Sequence, residues 1–359
     1  MRPYIFIATI LFLLLFLLFL PIPWFPRLFW KPRFNPVVSH SIPTSVIWNS
    51  DSTSSSTVIP HLGKDFVPHI YNPSITKIPE GWLVAARVGT SIQSGASFLY
   101  HRYVNSQSQI VLLLFDPEFR VNLSYQILSL YLTSDQERFQ YHLEDPRIDY
   151  QDGTLVICGT RSDYPSSCQV IASKGIWKNR IFWHEKTHVI PQNIQQREWK
   201  SKNWTPFFYR NEFLVVTDIY PTFKVRHLTD GHLVRQYPLN VPEFSNRIIH
   251  NGTSPRWLPS RQFYIIGIHN KVSIPLQIRT SFLLLSSTLE PQFYSPFLTF
   301  NPQSTFEFCS GLEVINDQTL VVGVGDSDQK AVLYRVSLVD LDRLWKPILG
   351  APAPPDPLV

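Results

Sequence analysis

DPRIDYQDGTLVICGTRSD, running from Asp145 to Asp163, decides the fold. A short, partly apolar stretch reaches the pair Asp152-Gly153, and the strongly apolar run Leu155–Cys158 follows before polar residues return. Asp and Gly accept the positive φ that tight hairpin connections demand, so the piece predicts two antiparallel strands joined by a short turn. The pattern recurs along the chain. NPSITKIPEGWLVAARV begins at Asn72 and turns at Glu80-Gly81; NWTPFFYRNEFLVVTDIYP begins at Asn203 and turns at Arg210-Asn211. GTSPRWLPSRQFYIIGIHN begins at Gly252 and turns near Ser260-Arg261; CSGLEVINDQTLVVGVGDSD begins at Cys309 and turns at Asn316-Asp317.

Copies spaced about 50 to 70 residues apart leave room for roughly four strands each, the size of one propeller blade. Five copies predict an all-β, five-bladed β-propeller; a β-sandwich with accidental similarity is the rival. Composition agrees. Thirty Pro against 14 Gly, with 44% hydrophobic and 14% aromatic residues, favour strands, turns and a large core. The net charge of +5 is scattered, and a nucleic-acid partner would call for a clustered basic face, so none is expected. Cys158, Cys168 and Cys309 are too few for a disulfide framework and have no metal-ligand spacing. They read as small buried side chains, with a Cys158–Cys168 pair as the alternative.

The ends differ from this body. Tyr4–Leu20 carries no charge and, with the segment after it, is long enough as a helix to reach across a bilayer core. Arg2 precedes it, and Trp24, Arg27, Trp30, Lys31 and Arg33 follow as an interfacial collar. Residues 1–25 are therefore expected to form a short cytoplasmic tail and a transmembrane anchor, with a cleaved signal peptide as the rival. Residues 26–65, rich in Pro and Ser, read as a stem, 66–345 as the propeller, and 346–359 as a disordered Pro-rich tail. A single-pass protein with its main domain in the lumen or outside the cell follows. The sequon at Asn122 is compatible with that side of the membrane.

In a propeller, the innermost strand of each blade lines the axis, so polar residues at repeat starts and strand ends should converge there. These are Asn72, Arg87, Glu144, Asp145, Arg147, Arg161, Lys202, Asn203, His250, Asn251, His269 and Asp326. Carboxylates stand among cations and amides, a mixture that a purely structural axis does not require.

The pieces EDPRI (Glu144–Ile148), KNWTPF (Lys202–Phe207), NGTSP (Asn251–Pro255), the strand ending in His269 and VVGVGDSD (Val321–Asp328) resemble glycoside hydrolase family 130. That family contains β-mannoside phosphorylases and β-mannosidases on five-bladed propellers. The mannosyltransferases and phosphorylases of glycosyltransferase family 108 share the layout. The resemblance spans about Asn72 to Val336 and implies Asp145 as the catalytic acid. It places Arg87 and Lys202 at a phosphate site, and His269 and Asp326 at sugar- or phosphate-contacting positions. Further phosphate-binding arginines are not matched, which leaves Arg147 and Arg161 as candidates. Asn72, Glu144, Asn203 and Asn251 complete the expected binding set.

Phosphorolysis needs an acid and cations that position an anionic nucleophile, whereas inverting hydrolysis needs a second carboxylate to activate water. Asp145 among Arg87, Arg147 and Lys202 fits the first design, and the same cations suit a sugar-nucleotide donor. The expected activity is cleavage or transfer of a mannosyl-type unit. No metal or resident cofactor is expected; inorganic phosphate or a sugar nucleotide would be a co-substrate. A hydrolytic glycosidase and a non-catalytic carbohydrate-binding propeller are the alternatives.

Overall fold

The computed structural model describes residues 39–50, 68–90, 109–128, 131–134, 137–140, 143–163, 167–190, 203–245, 247–273, 276–304 and 306–350. The chain divides into two units, Met1–Val37 and Val38–Val359, and the first lies outside the described residues. So does the expected anchor at Tyr4–Leu20. Among the described residues no helix is long and apolar enough to cross a membrane.

Strands dominate. After β1 (His40–Ser41) and β2 (Thr44–Asn49) come β3 (Pro68–Ile78), β4 (Gly81–Thr90), β5 (Gln109–Phe115) and β6 (Val121–Leu128). A small pair, β7 (Tyr131–Ser134) and β8 (Glu137–Gln140), leads into β9 (Leu143–Gln151), β10 (Thr154–Asp163), β11 (Ser167–Lys178) and β12 (Ile181–Ile190). Next are β13 (Thr205–Tyr209), β14 (Glu212–Asp218), β15 (Thr222–His227) and β16 (Leu233–Pro238). Then follow β17 (Ile248–Asn251), β18 (Arg256–Leu258), β19 (Phe263–Ser273), β20 (Leu276–Leu285), β21 (Pro291–Tyr294) and β22 (Leu298–Thr299). The chain closes with β23 (Glu307–Asn316), β24 (Thr319–Asp326), β25 (Lys330–Ser337), helix α1 (Leu338–Asp342) and β26 (Lys346–Pro347).

The result is an all-β, propeller-like fold. Four sheets are four-stranded: β3-β4-β5-β6, β9-β10-β11-β12, β13-β14-β15-β16 and β23-β24-β25-β2. Where the sequence predicts the remaining blade, the chain builds an eight-stranded sheet around β19 and β20. Its first strand is split. β17 and β18 pair with successive parts of β19, and the gap between them holds Gly252, whose amide donates to the Gly267 carbonyl over 3.0 Å, and Pro255, which has no N–H to give. β1 and β26 enlarge this sheet by pairing with β22 and β21.

Each predicted hairpin forms. Arg210 and Asn211 both adopt positive φ (47° and 68°), as do Asp152 and Gly153 (49° and 83°), the signature of a tight two-residue turn. Apolar residues fill the layers between neighbouring sheets. Leu83, Ala85, Leu112 and Leu114 meet Ile148, Leu155, Ile157 and Ile171; Val156 and Cys158 meet Val215 and Leu228. Polar bonds lace the first strands sideways. The Ile148 amide donates to Ser74 Oγ (3.0 Å), the Phe208 amide to Asp149 Oδ2 (2.7 Å), and Ser310 Oγ to the Pro73 carbonyl (3.0 Å).

The expected domain limits need correction at both ends. Residues 40–49, read as stem, supply β1 and β2. The second of these is the outer strand of the last sheet, with Trp48 buried edge-on to Phe115 (ring centroids 5.2 Å apart). Beyond residue 345, β26 pairs with β21 and Ile348 is buried. Branched and aromatic side chains with somewhere to pack outweigh the neighbouring Pro and Ser content. Residues 351–359 lie outside the described residues.

Candidate functional site

The site begins with two matching backbone irregularities. Tyr71 pairs with Arg87 and Ser74 with Ala85, so Asn72 and Pro73 together face Ala86. Glu144 pairs with Thr160 and Arg147 with Cys158, so Asp145 and Pro146 together face Gly159. Two residues against one is a β-bulge, which re-aims a side chain out of the regular alternation. Asn72 (φ 53°) and Asp145 (φ 51°) adopt the left-handed conformation, as does Asn203 (φ 64°) ahead of β13. Asn and Asp enter that region more readily than other residues with a Cβ.

The bulges bring a polar cluster together. Asn72 Nδ2 donates to Asp145 Oδ1 over 2.7 Å. Arg87 Nη1 lies 3.5 Å from the same oxygen, and Nη2 lies 3.3 Å from Glu144 Oε1. The guanidinium covers the ring of Tyr71 at 5.2 Å, a cation–π contact. Burial alone would weaken the Arg87 charge, but Glu144, Tyr71, Asp145 and Asp328 together hold its pKa above the usual arginine value. The Tyr71 phenol is raised by burial, against the pull of Arg87.

Asp328, in the turn before β25, belongs to this cluster although it was not among the predicted site residues. Asp328 is exposed. Partial loss of hydration, then the charges of Asp145 and Glu144, push its carboxyl up to about 6, against Arg87 and Lys271. Its only sequence signal was the GDSD run, which also spells an ordinary turn.

Other predicted residues serve the scaffold. Arg147, expected as a substrate-facing cation, is fully buried. Its Nε donates to the Gly252 carbonyl, and Nη1 donates to the carbonyls of Asp145 and Pro146, each over 3.0 Å. It packs over the Phe308 ring at 5.2 Å, and burial lowers its pKa to about 10. Arg147 thus props the Asp145 bulge from behind. Asn251 Nδ2 donates to the Val216 carbonyl over 2.7 Å, tying two sheets together. Asp326 accepts from Ser304 Oγ (2.6 Å), Ser327 Oγ (2.8 Å) and Asn301 Nδ2 (3.2 Å), a loop knot.

His269 is buried between Phe308 (4.5 Å) and half-buried His250 (5.5 Å). Burial first, then His250, Arg147 and Lys271, lower its pKa well below the usual histidine value, so it is neutral near pH 7. Asn203 is buried and its Oδ1 has no hydrogen-bond partner among the described residues. Lys202 and the Arg161 side chain lie outside the described residues. Cys158 and Cys309 are free and buried, and the Cys168 side chain lies outside the described residues.

A second charged group went unnoticed in the sequence. Arg256 Nη1 meets Asp149 Oδ1 at 2.8 Å and Nε meets Glu313 Oε2 at 2.9 Å, with all three side chains buried. Arg256 Nη2 also reaches the carbonyl of Ile75 (3.4 Å). This triad links β18, β9, β23 and β3. The three residues lie in ordinary strand positions, and only the tertiary fold reveals their meeting.

No family model matches this sequence, and no curated protein matches it. Solved structures do. The β-1,2-mannobiose phosphorylase from Listeria innocua superposes with a TM-score of 0.56 at 12% identity, covering 82% of this chain and 99% of that one. A glycosyl hydrolase from Bacteroides ovatus gives 0.54 at 11% identity, covering 75% and 84%. A third structure comes from the glycoside hydrolase family 130 of mannoside phosphorylases, reported to contain hydrolases that target β-1,2 mannosidic linkages in Candida mannan. It gives 0.52 at 10% identity, covering 75% and 84%. At such identities the likeness shows the fold, and it is the fold of the family that the EDPRI and KNWTPF pieces resemble.

Proposed function

We propose that this protein is a carbohydrate-active enzyme that cleaves or transfers a mannosyl-type unit, with Asp145 as the acid. The observation that carries the reading is the meeting of Asn72, Arg87, Glu144 and Asp145 from two sheets on paired bulges. The Asn72 amide and the Arg87 guanidinium fix the direction of a largely buried carboxyl, and general acid catalysis requires such positioning at the leaving oxygen. Arg87 orients the pair of carboxylates, and Lys202 is assigned to the nucleophile or donor phosphate. Phosphorolysis of a β-mannoside and transfer from an activated donor both fit. Hydrolysis is the second reading, favoured by Asp328, a further carboxyl beside Asp145 able to serve water activation.

Incubation of the full-length protein with β-mannosides separates these reactions. Mannose 1-phosphate released only with inorganic phosphate means phosphorolysis, free mannose means hydrolysis, and product that requires nucleotide-mannose means transfer. Asp145→Asn should cut turnover by about 10²–10⁴-fold while leaving the fold intact. Carbohydrate binding without turnover in any arm would instead identify a binding module.

We further read the eight-stranded sheet as the fourth of five blades, since β18, β19, β20 and β21 follow the blade order. Residues 1–25 are proposed as a membrane anchor with the propeller on the luminal or outer side. Deleting them should release the protein from the membrane fraction; retention there would count against the anchor.

A further inference from the structure

The turn joining β15 to β16 reads HLTDGH, from His227 to His232. We propose that His227, Asp230 and His232 form a binding site for a late first-row divalent cation of the zinc type. Spacing is the main support. Asp230 Oδ1 lies 2.7 Å from His232 Nδ1 and 3.4 Å from His227 Nδ1. One ligand atom from each of the three residues lies within 4.8 Å of the others. Zinc bonds of about 2.0–2.1 Å to nitrogen and oxygen put tetrahedral neighbours about 3.3–3.4 Å apart, and octahedral neighbours about 2.9 Å apart. The observed separations bracket those edges, so an ion could enter with small side-chain adjustments.

The backbone already holds the ligands in place. The Gly231 amide donates to the His227 carbonyl and the His227 amide to the His232 carbonyl, each over 3.0 Å. Gly231 takes φ 73°, and Arg226 Nη1 clamps its carbonyl at 2.9 Å. The two imidazoles stack with centroids 5.0 Å apart and planes 15° apart. The His232 amide donates to Asp230 Oδ1 over 3.1 Å, which fixes the carboxylate between the two rings. Two imidazoles and one carboxylate select zinc, copper or nickel over magnesium and calcium. Side-chain exposure leaves water free to complete the coordination.

The competing account is a hydrogen-bonded turn, in which a proton on His232 Nδ1 serves Asp230 and Thr229 Oγ1 bonds His227 Nδ1 at 2.7 Å. The two differ in solution. This site is independent of the proposed activity. β15 runs parallel to β13 within its sheet, so His227 lies at the opposite end of that sheet from Asn203.

Calorimetric titration of the metal-free, full-length protein with zinc chloride tests the proposal, with magnesium chloride as control. One zinc should bind per chain, and His227→Ala and His232→Ala should each weaken it more than about 100-fold, since even an outer-shell partner is worth 10–100-fold. Metal-free variants should keep the wild-type circular dichroism spectrum, and turnover should not change. X-ray absorption of the wild-type zinc complex provides a readout that needs no variant, and should show two imidazoles. Absence of saturable binding, undiminished affinity in the double variant, or an absorption spectrum without histidine would each overturn it.

Discussion

The side-chain amide of Asn72 donates to Oδ1 of Asp145 over 2.7 Å, so one bulge positions the carboxylate of another. Both residues keep left-handed backbones. Replacing Asn72 therefore removes two things, and two variants separate them. Asn72→Gly keeps the backbone and loses the bond; Asn72→Ala loses the bond and strains the backbone by about 1 kcal/mol more. Turnover should fall to a similar extent in both, by about 10²-fold if Asp145 drifts by 1 Å. Only the alanine variant should show the additional drop in melting temperature, and equal melting temperatures would refute the backbone role.

Gly325 makes room for this arrangement. A Cβ there would lie 1.8 Å from Asn72 Oδ1 and 2.9 Å from Asn72 N. Gly325→Ala should cost about 1–3 kcal/mol by overpacking and lower turnover along with it. Most of that cost comes from a side-chain atom, so Asn72→Gly in the same chain should recover part of the stability. A double-mutant cycle by chemical denaturation measures the coupling, and strict additivity would show that the two residues do not meet.

Arg256 neutralises Asp149 and Glu313 in the interior. Burial raises the Asp149 pKa, although Arg256 opposes the shift. Arg256→Met leaves two buried carboxylates without their cation and should destabilise the fold by about 3–5 kcal/mol. Adding Asp149→Asn and Glu313→Gln should restore much of that loss. Denaturation midpoints of the single and triple variants decide the matter.

Glu307 is fully buried and accepts hydrogen bonds from the amides of Phe300 and Asn301. Burial dominates over those bonds and over Arg279, and its carboxyl is pushed up to about 7 from 4.5. The folded state then binds this proton more tightly than the unfolded one. Its contribution is complete below about pH 4.5 and declines as pH rises through 7. Glu307→Gln should flatten that part of the stability–pH curve, and an unchanged slope in thermal melts from pH 4.5 to 7.5 would contradict the assignment.

Hairpins were legible because they are local. Asp152-Gly153 and Arg210-Asn211 turn where their chemistry allows, and the strand segments Leu155–Cys158 and Leu214–Val216 are buried, with Phe213 half-buried beside them. The meeting of Asn72 with Asp145 was legible through the repeat, since equivalent positions in successive copies must share an axis. Arg147 was misread because a charge beside a bulge looks the same in sequence whether it faces solvent or three backbone carbonyls. Arg256, Asp149 and Glu313 escaped because their partners are distant in sequence and no local pattern marks them, and Asp328 because its GDSD run also spells a turn. The bulges themselves left a trace in the Asn72-Pro73 and Asp145-Pro146 pairs, which also occur in plain turns.

The outer strand of the last sheet comes from the beginning of the domain: Ser50 Oγ accepts from the Ala331 amide across 281 residues. At about 5–20 residues per second, the ribosome needs on the order of tens of seconds to deliver that partner. Throughout this interval Thr44–Asn49 is a finished but unmated edge, with Trp48 deprived of its pocket. Birth of the protein thus includes a vulnerable wait, in which an early strand must be shielded from other chains until a late one emerges.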